Sequence, residues 1–187
     1  MNRVFKLKGK RAGLAVLEKQ DLDLCFRWIN DLEVSVYLTG FERVFSRESE
    51  DEWYNKVHNN PEEQVLAIID LKNGKYIGNT ELKIDLKNRQ ATLGIMIGEK
   101  SCWNKGYGSE ALVLMLDYGF NVLSLNRINL FVYDFNKRAL HVYEKVGFKK
   151  VGIEREARLV AGKFHDVWHL DMLAAEFRTY YKSLVRI

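Results

Sequence analysis

The chain has 187 residues, of which 47% are hydrophobic and one is proline, so we expect one domain of ordinary size with a substantial core. Its net charge of +4 favours an anionic ligand, and the lack of a long Lys/Arg run argues against a nucleic-acid partner. The sequence has no apolar stretch typical of a signal peptide or membrane span, and its two cysteines match no metal or disulfide pattern. A cytoplasmic protein with free thiols and no membrane partner is therefore expected.

The first sixty residues are predicted to form two strands and then helices. Val4 to Leu17 contains two short strands around a turn, and the apolar residues from Gln20 to Asn30 fit one amphipathic helix. Asp31 to Val34 is expected to form a second short helical piece. Ser46 is a helix-start residue, and the helix that follows is predicted to end near Pro61.

An antiparallel group of strands is predicted next. Val65 to Asp70 is continuously apolar, which is typical of a strand that is covered on both faces. Asn73-Gly74 predicts a hairpin turn. Tyr76 to Asp85 alternates in polarity, and Gln90 to Gly98 is predicted to return alongside it.

Helices and strands alternate in the second half. Gly108 to Leu123 is predicted to be the central helix, and Arg127 to Tyr133 a strand. Asn136 then caps a helix that ends at Gly147.

The predicted end of the fold is a hairpin and a tail helix. Phe148 to Val151 begins a strand, and His165 to Leu173 is its partner. A polar loop is expected from Glu154 to Lys163, and a helix at about 174–187. His165 and His169 lack an identifiable third ligand, so we interpret them as surface residues and expect no metal.

The connection between the central strand and helix is the segment Cys102-Trp-Asn-Lys-Gly-Tyr-Gly-Ser-Glu-Ala111. Glycines at a helix start let a ligand approach unpaired N–H groups, which suits a phosphate. Ala111 occupies the position of the third glycine of a Rossmann turn, and Lys105 precedes its glycine, unlike the lysine of a Walker loop.

This segment and a later one together resemble the GNAT superfamily of acetyl-CoA-dependent N-acetyltransferases. Trp103 to Gly108 matches the family's phosphate loop, Arg/Gln-x-x-Gly-x-Gly/Ala, except that Trp103 replaces Arg or Gln. The second family pattern, Asn-x-x-Ala-x-x-x-Tyr-x-x-x-Gly-Phe, is matched at Asn136, Ala139, Tyr143, Gly147 and Phe148. The resemblance covers about Lys8 to Met172. It implies a single α+β (α/β) domain over residues 1–187, with a mixed, mainly antiparallel sheet of about seven strands flanked by helices.

The resemblance also implies a coenzyme site. The helix start would bind the pyrophosphate of acetyl-CoA, and the preceding strand would bind the pantetheine and the acetyl carbonyl. The implied coenzyme-binding residues are Ile95, Met96, Ile97, Trp103, Asn104, Lys105, Gly106, Tyr107, Gly108, Ser109 and Asn136.

Two residues are the catalytic candidates. Tyr143 is the candidate acid for the departing thiolate, since the family places a tyrosine near the coenzyme sulfur; its alternative role is packing in the core. Glu81 is the candidate base, because Ile77 to Leu82 resembles a Val/Ile-Gly-x-x-Glu-Leu motif of spermidine acetyltransferases; its alternative role is an ordinary strand glutamate. Cys102 would be needed for a ping-pong route, but no histidine is placed to activate it, which favours direct transfer.

The acceptor is left open between classes. Leu7-Lys-Gly-Lys, Trp28 to Val34 and Gly162 to Asp166 resemble the ribosomal-protein N-terminal and spermidine-type acetyltransferases. A primary amine of a small molecule, such as a polyamine, amino sugar or aminoglycoside, is the expected substrate. A protein α-amino group, such as that of a ribosomal protein, and a non-catalytic acyl-CoA sensor are the alternatives. We expect the acceptor pocket between the helices of Gln20–Asn60 and the Glu154–Lys163 loop, and a homodimer is left open.

Overall fold

Eight strands form a single mixed sheet in the computed structural model, which describes residues 3–38 and 40–183. In chain order the strands are β1 (Phe5–Lys8), β2 (Ala12–Val16), β3 (Glu63–Asp70), β4 (Tyr76–Asp85), β5 (Gln90–Ile97), β6 (Arg127–Tyr133), β7 (Lys149–Val160) and β8 (Lys163–Leu173). The helices are α1 (Leu22–Ile29), α2 (Leu32–Ser35), α3 (Arg47–Asn59), α4 (Tyr107–Asp117), α5 (Lys137–Val146) and α6 (Ala174–Tyr180).

The strand order is β1-β2-β3-β4-β5-β6-β8-β7, and every neighbouring pair is antiparallel except β5 and β6. The predicted class, a mixed and mainly antiparallel sheet with flanking helices, is confirmed. The sheet has eight strands instead of about seven.

Two hydrophobic cores lie on opposite faces of the sheet. The larger one packs α4, α5 and α6 on one face, and includes Leu82, Leu93 and Phe120. The smaller one packs α1 and α2 on the other face, and includes Cys25 and Ala67. Because both faces are covered at its centre, β3 is continuously apolar, as its sequence predicted.

The central helix differs from its prediction in its last turn. α4 ends at Asp117, and Tyr118–Val122 continues with the wider winding of a π-helix. Gly119 lies in that turn, where an added Cβ would come within 2.6 Å of the Ile128 side chain. This turn therefore packs closely on β6, and a side chain at Gly119 would force the Ile128 side chain to move.

The polar loop predicted from Glu154 to Lys163 is wrong. β7 continues through this segment and pairs with β8, with Leu159 opposite Phe164 and the reversal at Gly162. Charged residues are tolerated because β7 is an edge strand exposed to solvent along most of its length. An irregularity in pairing between Glu154 and Arg158 interrupts the ladder and explains the weak strand pattern in the sequence.

The tail helix is shorter than its prediction. α6 covers Ala174–Tyr180, and residues 184–187 of the predicted tail lie outside the described residues. Within residues 3–38 and 40–183, no helix combines the length and apolarity needed to cross a membrane.

Candidate active site

A gap opens in the sheet where its two parallel strands separate. Among the described residues, Gln90–Thr92 of β5 pair with Arg127–Asn129 of β6, and beyond them each strand keeps only its antiparallel neighbour. In this part of the chain, the backbone edge of Leu93–Ile97 that faces β6 therefore has no strand partner. A cleft of about 950 Å³, a volume that includes space open to solvent, occupies the gap.

The segment after β5 forms a strained loop at the mouth of this cleft. Asn104 and Gly106 both have left-handed backbone conformations, with φ of 58° and 85°. Gly106 begins α4 without a side-chain oxygen to cap it, so the first N–H groups of the helix are open to a ligand. A Cβ on Gly108 would come no closer than 3.7 Å to a protein atom, so space remains in front of this helix end. The geometry fits an anionic group such as a pyrophosphate.

The predicted coenzyme-binding residues converge on this cleft. Ten of the eleven contribute to its lining, and the exception is Lys105. Lys105 is exposed and its carbonyl oxygen accepts a hydrogen bond from Arg11 Nη1 at 3.1 Å. Its position therefore supports the loop from outside.

A long-range contact that sequence patterns did not predict fixes the loop to the first hairpin. The Glu110 carboxylate, in the first turn of α4, accepts hydrogen bonds from the backbone N–H groups of Lys10, Arg11 and Ala12 at 2.5, 2.9 and 2.9 Å. A Cβ on Gly9 would lie 2.4 Å from this carboxylate. The turn between β1 and β2 thus packs directly on the helix start.

Trp103 has a structural role in the loop. Its indole N–H donates to the carbonyl oxygen of Ile97 at 2.7 Å, which connects the loop to the end of β5. The guanidinium carbon of Arg138, from the first turn of α5, lies 4.3 Å from the centre of the Trp103 ring. Sequence reasoning did not identify Arg138, although it lies two residues after the predicted Asn136.

Asn136 and Tyr143 enter the cleft from α5. The Asn136 side-chain oxygen accepts from the Ala139 N–H at 3.1 Å, so Asn136 caps the helix as predicted. Tyr143 is only 9% exposed, and its ring contacts Phe148. Within the described part of the chain, its hydroxyl has no hydrogen-bond partner. Burial raises the pKa of Tyr143 to about 12, so the hydroxyl keeps its proton at neutral pH.

Glu81 lies near the cleft but not in its lining. It is directly opposite Gly94 in the β4–β5 ladder, and a Cβ on Gly94 would come within 2.8 Å of its carboxylate. One carboxylate oxygen is 3.5 Å from Lys83 Nζ, and the side chain is 31% exposed. Glu81 shares its side of β4 with Asn79, which bonds Cys25 of α1, so the carboxylate is on the sheet face covered by α1 and α2. Tyr143 belongs to the core on the opposite face.

Neither cysteine is activated. Cys102 lines the cleft, and burial raises the pKa of its thiol, so it stays protonated at neutral pH. Cys25 is buried and lies 2.8 Å from the Tyr76 hydroxyl.

The two histidines of the last hairpin have carboxylate partners. His165 Nδ1 lies 2.8 Å from Asp134, and His169 Nε2 lies 2.6 Å from Glu154. No group of three metal-ligating side chains is present among the residues that the structure describes.

The acceptor pocket stays a prediction, and the cleft is lined by one of its two expected walls. Val34, Tyr37 and Leu38, from the expected helical wall, line the cleft. The segment from Glu154 to Lys163 contributes no lining residue; Phe131 of β6 lines the cleft instead, and its ring contacts His169 edge-on at 4.5 Å.

Comparisons with known proteins agree with this architecture. Residues 11–149 match the family model for the acetyltransferase (GNAT) domain. The spermidine N(1)-acetyltransferase of Vibrio cholerae is 31% identical over 167 residues, covering 88% of this chain and 94% of that protein. An uncharacterised N-acetyltransferase of Bacillus licheniformis is 29% identical over 174 residues, covering 91% and 97%.

A solved structure shares this fold over most of the chain. The spermidine N-acetyltransferase from Vibrio cholerae, in complex with CoA and spermine, matches with a TM-score of 0.83 and 28% identity, covering 91% of this chain and 99% of that one. Because the family model spans well over half of the sequence, the chain belongs to the GNAT acetyltransferase family.

Proposed function

We propose that this acetyl-CoA-dependent N-acetyltransferase acts on a primary amine of a polyamine of the spermidine type. The observation that carries the proposal is its similarity, over about nine-tenths of the chain, to spermidine acetyltransferases, one of them solved with CoA and spermine. The cleft between β5 and β6 supports the same chemistry, since it combines an anion-binding helix start with an apolar wall.

In this proposal, the loop and helix start hold the coenzyme. The N–H groups at the start of α4 bind the pyrophosphate, with Gly106 and Gly108 giving it access. The unpaired edge of β5, at Ile95–Ile97, provides backbone groups for the pantetheine and the acetyl carbonyl. Asn136 lies across the cleft from that edge and is proposed to contact the coenzyme while it caps α5.

The reaction proposed is direct transfer. The neutral amine nitrogen attacks the thioester carbon, a donor stabilises the carbonyl oxygen as charge develops, and the carbon–sulfur bond then breaks. The acetyl group ends on nitrogen, and coenzyme A leaves as its thiol after taking up a proton. A covalent route through Cys102 is not favoured, because its thiol is held protonated and no described histidine bonds it.

Glu81 is proposed to take the proton from the incoming ammonium group. A primary amine is mostly charged near neutral pH and must lose a proton before it attacks. Glu81 is close to the separating strands, on the face covered by α1 and α2, from which an acceptor would approach past Val34 and Tyr37. Its carboxylate also attracts a polycation.

Tyr143 is proposed to donate a hydrogen bond to the departing sulfur from the opposite face. A thiol has an ordinary pKa near about 8.5, well below the value of about 12 for Tyr143. Full proton transfer from tyrosine to thiolate is therefore uphill by several pKa units. We infer that Tyr143 stabilises the thiolate by hydrogen bonding, and that the proton comes from the acetylated nitrogen.

The decisive experiment is turnover of acetyl-CoA with matched acceptors. The panel contains spermidine, butylamine as a monoamine of similar chain chemistry, glucosamine, and a peptide with the N-terminal sequence of a ribosomal protein. We expect the highest kcat/KM for spermidine. A preference for the peptide would move the enzyme to the N-terminal class, and tight coenzyme binding without turnover of any acceptor would favour a sensor.

We further propose that the enzyme works as a homodimer in the cytoplasm, where acetyl-CoA and polyamines occur together. Support for the dimer comes from the last hairpin, where β7 is an edge strand and exposes Val151, Ile153 and Leu159, with Phe164 beside them on β8. Sedimentation of the wild type and of Phe164→Lys tests this, and a wild-type monomer would refute it.

A further inference from the structure

Trp103 cannot provide the polar contact expected at the first position of a phosphate loop. Its side chain has one polar hydrogen, and that hydrogen is used in the 2.7 Å bond to the Ile97 carbonyl. The ring lines the cleft and has no charge. Any polar side-chain contact to a phosphate near this position therefore has to come from another residue.

Arg138 is the cation that lies against Trp103. Its guanidinium carbon is 4.3 Å from the centre of the Trp103 ring and 5.7 Å from that of Tyr37. Arg138 lines the same cleft, in the turn of α5 that follows the Asn136 cap. No carboxylate pairs with it, and no acceptor takes its N–H groups, within residues 3–38 and 40–183.

The two rings hold the guanidinium in place without using its donors. A cation over an aromatic face is stabilised by the ring quadrupole. The N–H groups of arginine radiate in the guanidinium plane, in a fork that matches two oxygens of a phosphate. Stacking on Trp103 thus leaves that fork open and reduces the conformational freedom that binding would remove.

We propose that Arg138, held over Trp103 and Tyr37, binds a phosphate group of the coenzyme at the mouth of the cleft. This inference rests on the proposed function only in taking acetyl-CoA as the ligand, and is independent of which amine is acetylated. Trp103 acts as a positioning residue in two ways. Its ring supports Arg138, and its indole N–H bonds to Ile97 at the end of β5.

The test compares Arg138→Gln with Lys137→Gln. Lys137 is the adjacent residue, is exposed, and does not line the cleft, so its variant removes the same formal charge without removing the contact. Calorimetry with CoA in low salt should show a Kd raised roughly tenfold to a hundredfold for Arg138→Gln. Lys137→Gln should change the Kd by less than about threefold, since an exposed charge that makes no contact is screened. Both variants should keep the wild-type Tm.

Three further measurements separate a phosphate contact from packing. Repeating the titration in 1 M NaCl should shrink the Arg138→Gln effect, because salt screens an ionic contact. The same titration with 3′-dephospho-CoA identifies the phosphate: the effect disappears if Arg138 binds the 3′-phosphate and persists if it binds the pyrophosphate. Trp103→Leu should weaken CoA binding more in the wild-type background than in Arg138→Gln, where only the loss of its bond to Ile97 remains.

Two results would overturn the inference. One is an equal Kd for CoA in Arg138→Gln and Lys137→Gln, and the other is a loss of CoA affinity in Arg138→Gln that is the same in low and high salt. Because the readout is CoA binding, it stays informative when none of the tested amines is acetylated. Failure of the polyamine assignment is thereby distinguished from failure of the Arg138 assignment.

Discussion

Replacing Tyr143 with Phe tests the part of the mechanism that depends on one atom. The side chain is largely buried but lines the cleft, and its hydroxyl has no partner within the described residues, whereas the ring packs on Phe148. Phenylalanine keeps that packing and removes only the oxygen. Since a hydroxyl without a protein partner contributes no intramolecular hydrogen bond to folding, we expect Tyr143→Phe to unfold at about the wild-type temperature.

The size of the kinetic effect follows from the pKa of Tyr143. At about 12 it makes the hydroxyl a poor proton donor to a thiolate but a good hydrogen-bond donor. A hydrogen bond to a charged group contributes about 1.5–3 kcal/mol, which corresponds to a decrease in kcat of about 10- to 150-fold. Full general-acid catalysis would give about 10²–10⁴-fold. We therefore expect kcat to fall by about 10- to 150-fold, the range for a lost hydrogen bond.

The assay is thiol release from acetyl-CoA with a saturating amine, together with calorimetry of CoA binding. CoA affinity should be unchanged, and the pH profile of kcat should keep its shape below about pH 10, because Tyr143 stays protonated there. Tyr133→Phe is the matched control, since Tyr133 is buried but outside the cleft lining. Full turnover by Tyr143→Phe would return Tyr143 to a packing role and refute this part of the mechanism.

Three more predictions concern the loop, the base and a buried carboxylate. Gly106→Val should weaken CoA binding at least about tenfold without unfolding the chain, because the left-handed φ of 85° strains any side chain by about 1–3 kcal/mol while the added atoms meet open space; Gly162→Val, with φ of 78° in the last hairpin, should leave CoA affinity unchanged. Glu81→Gln should lower kcat and shift its pH profile if Glu81 is the base, whereas a rise in KM alone would make it a binding group, and wild-type values of both would exclude either role. Glu50 is 8% exposed, and burial raises its pKa, so its charged form destabilises the fold as pH rises through that pKa. Glu50→Gln should therefore stabilise the protein by on the order of 1 kcal/mol at pH 7 and by almost nothing below about pH 4 in thermal melts, while Glu52→Gln, on the exposed side of the same helix, should do neither.

Local chemistry allowed much of this fold to be predicted from the sequence. The Asn136 cap, the Gly147 helix end and the Gly106 loop each depend on the conformational preferences of one or two residues, which a sequence displays directly. Strands in the core were predictable for a similar reason, since burial on both faces requires a continuous apolar run.

Features that depend on distant partners were not predictable in this way. Glu110 bonds backbone groups about a hundred positions earlier, and no pattern around it signals those partners. The segment from Glu154 to Val160 forms a strand because β8 pairs with it, although its own composition favours a loop. Arg138 could have been suspected from its place beside Asn136, but its contact with Trp103 required the fold.

A crystal structure of the protein with coenzyme A and spermidine tests the central claim most directly. We expect the pyrophosphate at the N–H groups of Gly108 and Ser109, the pantetheine between β5 and β6, and the sulfur within hydrogen-bond reach of the Tyr143 hydroxyl. The primary amine of spermidine should approach from the face of the sheet that holds Glu81. Coenzyme bound elsewhere, or a sulfur remote from Tyr143 with the amine on the same face as the tyrosine, would contradict the proposed site.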